Sequence, residues 1–403
     1  MSISLRAEAA RLTQDLPRSR QPASSARRHL TQPHAPAAAQ RRTPTWLAWW
    51  ACVPLACSPA VVAQNAVSPV DRSALEGNSF THYPLGRASA RVQTLHDDVP
   101  GGTVVSAHGY RRDAVGVRGV VAGLSCELQV TLSVAPHPAD SASTTFASNT
   151  GSNAVVVLPR QTLAFPSTDR PALDPAPAFE LVVPYAQPFT MPPQGGTLCV
   201  DVEVFGNQTS SGINRDVSLY LDAHQQYADG SARQRGFRTL QGCAAPGSTA
   251  RCYAGVDLWR LASGSSQLDV SLRNGVADPG SGAARAFLTL GNTLQSTPWP
   301  LRPECLFHSS AELWFALPGA MTATGRYDGS LTQLPPLPSG LRLWCQAGSV
   351  DLASVAMAFS DAVTLVTPPL GQLPRPCARV ANGADVTSPT GSVSASVPVM
   401  AFF

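Results

Sequence analysis

Apolar and polar residues alternate along much of this chain with a period of two. The cleanest case is Cys126–Val134. Cys126, Leu128, Val130, Leu132 and Val134 fall on one face, and Glu127, Gln129, Thr131 and Ser133 on the other. Thr197–Phe205 repeats the pattern with Leu198, Val200, Val202 and Val204, and Val217–Ala223 with Val217, Leu219 and Leu221. Successive side chains of a strand point to opposite faces, so these runs read as half-buried strands. Further strand candidates are 103–110, 117–124, 154–158, 178–184, 256–262, 268–272, 285–290, 312–317, 321–327, 341–347, 355–360, 362–367 and 392–400. Turn residues separate them at short intervals, and helical periodicity is hard to find. Many short strands, each with one polar and one apolar face, predict an all-β protein of antiparallel β-sandwiches, jelly-roll or immunoglobulin-like.

The small polar run Ser263-Gly264-Ser265-Ser266 reads as a linker between two domains. The expected N-terminal β-sandwich covers 75–262 and the C-terminal one 267–370. Residues 371–403 then form a Pro-rich segment and a strand at 392–400 that closes an open sheet edge.

One run breaks the alternation. The 18 residues Trp46–Ala63 (WLAWWACVPLACSPAVVA) are apolar, follow Arg41 and Arg42, and end in Val61-Val62-Ala63. A basic start, an apolar middle and small residues at −3 and −1 are the three parts of a signal peptide, here with cleavage after Ala63. A retained membrane span is the lesser reading, because Pro54 and Pro59 interrupt a run that only just reaches the roughly 18 residues a span needs. A lipoprotein tether at Cys57 is a second alternative. Leu55-Ala56-Cys57 suits it, but Pro54 sits where an aliphatic residue belongs. Residues 1–45, rich in Ala, Arg, Pro, Gln and Ser, read as a disordered basic leader or as sequence upstream of the true start. The mature chain is therefore expected to be exported, extracellular or at the cell surface, with no transmembrane span.

Removing the leader changes the sign of the charge. Residues 1–63 hold eight of the 29 basic residues and two of the 26 acidic ones, which leaves 21 against 24 and turns a formal +3 into about −3. The electrostatic case for a nucleic-acid partner falls away. The chain has no lysine, so a P-loop and Schiff-base chemistry are excluded. Seven cysteines remain after Cys52 and Cys57: 126, 199, 243, 252, 305, 345 and 377. Outside the cytoplasm these tend to pair. Cys243 and Cys252 flank a Gly/Pro/Ser loop and are the first disulfide candidate; Cys305 and Cys345 are the second. No C-x-x-C spacing points to a zinc–thiolate site.

Several ionisable clusters carry candidate chemistry. His96-Asp97-Asp98, followed by Arg111-Arg112-Asp113, is the densest. Adjacent carboxylates suit Ca²⁺, which takes six to eight oxygens, and a His beside carboxylates suits acid–base work. The plainer reading is a strand-end turn with Arg–carboxylate pairs across a sheet, since further spaced oxygen ligands are absent. Asp222 and His224, two apart on a strand, share a side and form a second pair of candidate ligands. Asp97, Asp98 and Asp222 are thus the candidate metal ligands, with calcium the one candidate cofactor. Glu304, His308 and Glu312 would share a helical face, but their flanks read as strands. There is no G-x-S-x-G elbow, and no catalytic or cofactor-binding residue is assigned. Of Trp259, Trp299, Trp314 and Trp344, Trp299 between two prolines is expected to be exposed, as a sugar-stacking residue would be. The sequon Asn207-Gln208-Thr209 suits a surface loop.

Tyr83–Asp98, His108–Asp113, Thr145–Asn149, Phe179–Phe189, Gly196–Val204 and Tyr220–His224 resemble segments of a family of uncharacterised exported bacterial β-sandwich proteins. Pro303–Phe307, Leu334–Pro338 and Leu341–Ala347 are similar to that family's recurrent small C-terminal sandwich. The resemblance implies the architecture and no activity. The expected function is an exported, non-catalytic β-sandwich protein, a cell-surface, matrix or adhesion component with a glycan, matrix or protein partner. The alternative is a carbohydrate-binding module or sugar-active hydrolase, by fold analogy.

Overall fold

The computed structural model describes residues 64–114, 122–168, 176, 178–209 and 216–403. The leader, Cys57, the Ala63 cleavage site and part of the 117–124 strand candidate lie outside them. The described chain is nearly all β, as the alternation predicts, and its sheets are antiparallel.

Three sheets hold the first part of the chain together with its last strands. A six-stranded sheet runs in the order β23 (Ser392–Ser394), β22 (Cys377–Asn382), β3 (Ala90–His96), β8 (Thr197–Thr209), β5 (Leu124–Ala135) and β6 (Val155–Phe165). A four-stranded sheet runs β1 (Ala66–Ser68), β25 (Met400–Phe402), β4 (Val104–Tyr110) and β7 (Leu181–Thr190). A three-stranded one runs β2 (Ser79–Thr81), β9 (Leu221–Gln225) and β24 (Ser396–Pro398). Cys126, Leu128, Val130 and Leu132 of β5 and Leu198, Val200, Val202 and Val204 of β8 share the largest hydrophobic cluster. Val105, Leu181, Val183, Met400 and Phe402 of the four-stranded sheet join the same cluster. Each such side chain, fully buried, contributes about 1.5–3 kcal/mol.

The middle of the chain forms a second group. One sheet runs β10 (Ala232–Arg235), β12 (Tyr253–Arg260), β13 (Ser266–Arg273) and β18 (Tyr327–Leu334). Another runs β11 (Phe237–Thr239), β21 (Ala362–Val366), β19 (Arg342–Asp351), β14 (Ala284–Gly291) and β17 (Leu313–Ala316), with β20 (Met357–Phe359) also paired to β19. Val256, Leu258, Leu268, Val270, Leu288 and Leu365 form the cluster shared by these two sheets. A hairpin of β15 (Leu294–Trp299) and β16 (Arg302–Ser309) adds Cys305 and Phe307 to a separate cluster with Phe287 and Phe359. Ala286 and Leu288 of β14 belong to the inner cluster, and Phe287 between them to the outer one, as a period of two requires.

Several expectations meet a different chain path. The Ser263–Ser266 run is the turn of the β12–β13 hairpin, whose register pairs Arg260 with Ser266. Gly264 sits at φ +86 in that turn, a left-handed conformation that glycine adopts without strain. The strand expected at 392–400 is three short strands, each in a different sheet, and β25 lies inside its sheet between β1 and β4. Residues 321–326 form a turn rather than a strand, and β18 begins at Tyr327.

The expected disulfide pairs do not form: Cys243 is bonded to Cys305, while Cys252 and Cys345 are buried free thiols. The cause is the opposite sides of one sheet. Cys345 faces the inner cluster, whereas its neighbour Gln346 points outward and donates from Nε2 to Leu306 O on β16. Cys305 therefore lies across the sheet from Cys345. Cys243 turns into the outer aromatic cluster with Cys305, and Cys252 into the inner one.

Candidate functional site

The strand ends of β1, β3 and β22 converge on one polar cluster. Cys377 opens β22 directly opposite His96, the last residue of β3. Opposed residues of an antiparallel pair share a face. Ser68, the last residue of β1, reaches both from the neighbouring sheet. Its Oγ lies 2.6 Å from His96 Nδ1 and 3.2 Å from Cys377 Sγ, and donates to Asp98 Oδ1 at 2.5 Å. The Val70 N–H donates to Asp98 Oδ2 at 2.8 Å. With the hydroxyl proton committed to Asp98, His96 Nδ1–H is the donor to Ser68 Oγ. The other ring nitrogen, Nε2, is buried with no partner, and the ring meets Phe402 edge-on at 5.4 Å. Burial pushes His96 down to about 3. Burial also raises Asp98, opposed by the Ser68 and Val70 hydrogen bonds, and pushes the Cys377 thiol well above its usual range.

A second cluster gathers around Asp222 of β9. Arg111 Nε donates to Asp222 Oδ2 at 2.6 Å, and both side chains are fully buried. Arg111 Nη2 also donates to Arg72 O and Leu75 O, at 2.9 and 2.5 Å. The Gly77 N–H donates to Asp222 Oδ1 at 2.8 Å. Arg72 Nη1 donates to Gln234 Oε1 at 2.8 Å, which ties the first strand group to β10. Glu76 Oε1 accepts the Ala114 N–H, while its Oε2 is buried with no partner. Burial, then the neighbouring Asp222 and Asp113 carboxylates, pushes Glu76 well above the carboxylate range. Asp222 is raised by burial and lowered by Arg111.

Between the two clusters opens a cleft of about 70 Å³. Its walls include Asp71, Arg72, Asp98, His224, Tyr227 and Gln372. His224 Nδ1 is buried there without a partner, and burial lowers this histidine well below its ordinary value. A water occupies about 30 Å³ in the liquid, so the cleft is sized for a few waters or one ion.

The sequence-derived candidates separate into different surroundings. Asp97 turns away from Asp98: it accepts the Ala139 N–H and the Thr197 hydroxyl, the latter at 2.6 Å. The adjacent pair is therefore not one cation site. Asp222 pairs with Arg111, as the cross-sheet reading anticipates. Glu304 bonds Arg302, Glu312 bonds Ser310, and His308 Nε2 lies 3.2 Å from Gln241 O, so these three do not meet. Trp299 is half-buried against Phe307 and Phe359, whereas Trp314 on the edge strand β17 is 48 % exposed. Asn207 is buried in β8 and donates to Arg87 O, so the sequon is not a surface loop. Sequence reasoning missed Ser68 and Cys377 as partners of His96. They are 309 residues apart, and the one hint was an odd cysteine count.

No protein-family model matches this chain, and no curated protein shows significant similarity to it.

Proposed function

We propose that this is an exported, non-catalytic protein of two β-sandwiches, the second inserted between the early and the last strands of the first, acting as a cell-surface, matrix or adhesion component. One observation carries the reading. The base and nucleophile side chains that come together do so in the interior: Ser68 and His96 have no exposed surface, Cys377 is buried, and only the carboxylate of Asp98 borders a cleft. A relay for acyl transfer needs the histidine between nucleophile and carboxylate with the nucleophile open to substrate. Here the serine is central and sealed. The six- and four-stranded sheets sharing the largest cluster support the first sandwich, and the two sheets sharing the second cluster support the other. The Trp46–Ala63 run supports export.

A second reading, carbohydrate binding, is favoured by one feature. On β17, Leu313 and Trp314 are exposed at 55 % and 48 %, and Trp314 stacks on Phe287 at 5.5 Å, so the indole is held rigid with a face toward solvent. Rigid exposed aromatics stack on sugar rings. One preparation tests both readings. The full chain, expressed with its leader in a bacterial host, is expected outside the cytoplasm beginning at Gln64, and to give no signal on a glycan array. Full-length product retained in the cytoplasm overturns the export reading. Glycan binding abolished by Trp314→Ala replaces the scaffold reading with the carbohydrate one.

A further inference from the structure

We propose that His96, Asp98 and Cys377, gathered around Ser68, form a binding site for a zinc-type divalent cation. Three observations converge on it. One donor atom from each of the three residues lies within 4.8 Å of the other two. Ser68 Oγ sits among them at 2.6, 2.5 and 3.2 Å, so the donors point at one spot rather than past one another. Independently, His224 lines the same cleft as Asp98 with its Nδ1 buried and unpartnered, a ligand-seeking group beside the cluster.

The donor set decides the class of cation. A thiolate, an imidazole and a carboxylate together suit Zn²⁺, whereas Ca²⁺ takes oxygens alone. Zinc bonds of about 2.0–2.3 Å in a tetrahedron put the donors roughly 3.3–3.7 Å apart, a modest contraction from the present spacing. The cation displaces the Ser68 hydroxyl from its place between the donors, and a water takes the fourth position. On binding, His96 changes tautomer so that Nε2 carries the ring proton and Nδ1 offers its lone pair, and the Cys377 thiol releases its proton to solvent as the S–metal bond forms. The backbone favours the site, because Cys377 and His96 are fixed opposite each other by strand register and Asp98 is held by the Val70 N–H. No short cysteine spacing announces such a site, since its donors come from β3, the turn after it and β22.

The test uses the full-length exported protein, stripped with a chelator under reducing conditions and titrated with Zn²⁺ or Co²⁺. Expected are one equivalent bound, a raised melting temperature, and a thiolate-to-Co²⁺ absorption band. Cys377→Ala and Asp98→Asn are each expected to weaken binding at least about tenfold, and Cys377→Ala to abolish the band. Ser68→Ala guards against a merely unfolded variant. It removes the hydrogen-bonding hub but no thiolate, imidazole or carboxylate, so it is expected to keep the band. A missing band in the wild-type chain, binding unchanged by Cys377→Ala, or loss of the band in a folded Ser68→Ala protein each overturns the proposal. Stabilisation by Ca²⁺ but not Zn²⁺ overturns it as well.

Discussion

The two strand groups are stabilised in different ways. The second group, residues 232–367, buries aliphatic and aromatic side chains, carries the Cys243–Cys305 cross-link, and has no fully buried arginine among the described residues. The first group buries Arg72, Arg111 and Arg112 with Glu76, Asp113, Asp222, His96 and His108. Taking such charges out of water costs several kcal/mol each unless partners restore the lost hydrogen bonds. Beside its apolar cluster, the first group therefore depends on polar geometry in its interior, whereas the second depends on apolar area and a covalent tie. The contrast teaches that one chain can hold two antiparallel β regions with different vulnerabilities.

The strongest way to break this contrast is Arg111→Ala. It strands the Asp222 carboxylate in the interior, and a loss of about 3–5 kcal/mol in denaturant unfolding is expected, with hydrogen exchange rising first in β1–β9. Equal exchange gains in β12–β19 would refute the separation. Next is the double substitution Cys243→Ser with Cys305→Ser. Opening a loop of 62 residues is expected to cost about 2–4 kcal/mol, with exchange rising first in β14–β20. The smallest effect is a slope in pH. Burial holds His108 down to about 3, below its ordinary 6.5, so the unfolded chain binds a proton that the folded one does not. Stability from this group is fully present above about 6.5 and is lost progressively from there down to about 3. Glu76, raised by burial, acts in the opposite sense above its ordinary 4.5, so the difference between chains isolates the histidine. His108→Gln is expected to lower the slope of unfolding free energy between pH 5 and 6 by roughly 1.2 kcal/mol per pH unit. Melts at those two pH values that change in parallel for both proteins would remove His108 from the account.

Where one face of a strand is apolar and the other wet, the sequence is easy to read. β5 has that form, and Cys126, Leu128, Val130 and Leu132 are all buried. β3 went unread for the opposite reason. Ala90 and Val92 face one cluster, Leu95 faces another, and Gln93 is buried against Asp201 and Phe146 O. A strand covered on both faces, with polar residues satisfied inside, shows no alternation to detect. β3 also supplies His96, so the candidate site shared its concealment. The site was half legible: the His96-Asp97-Asp98 run drew attention, but Asp97 and Asp98 part company, and Ser68 and Cys377 are brought in by long-range pairing that no local pattern encodes. Asp222, a candidate ligand by sequence, is ion-paired with Arg111 and also gathers with the Glu76 and Asp113 carboxylates, two partners that no local pattern announces. The disulfide was misassigned because loop length is visible in a sequence and the side of a sheet is not.

The path of the last strands has a consequence in time. β22 together with β23, and likewise β24 and β25, complete sheets whose remaining strands precede residue 226. As the chain emerges from its N-terminus, the second group has all its strands once Val366 is out, while β3 and β4 each still wait with one open edge. Open edges recruit foreign strands. The region that is synthesised first is thus the last to close, and it remains vulnerable to aggregation until Phe402 arrives.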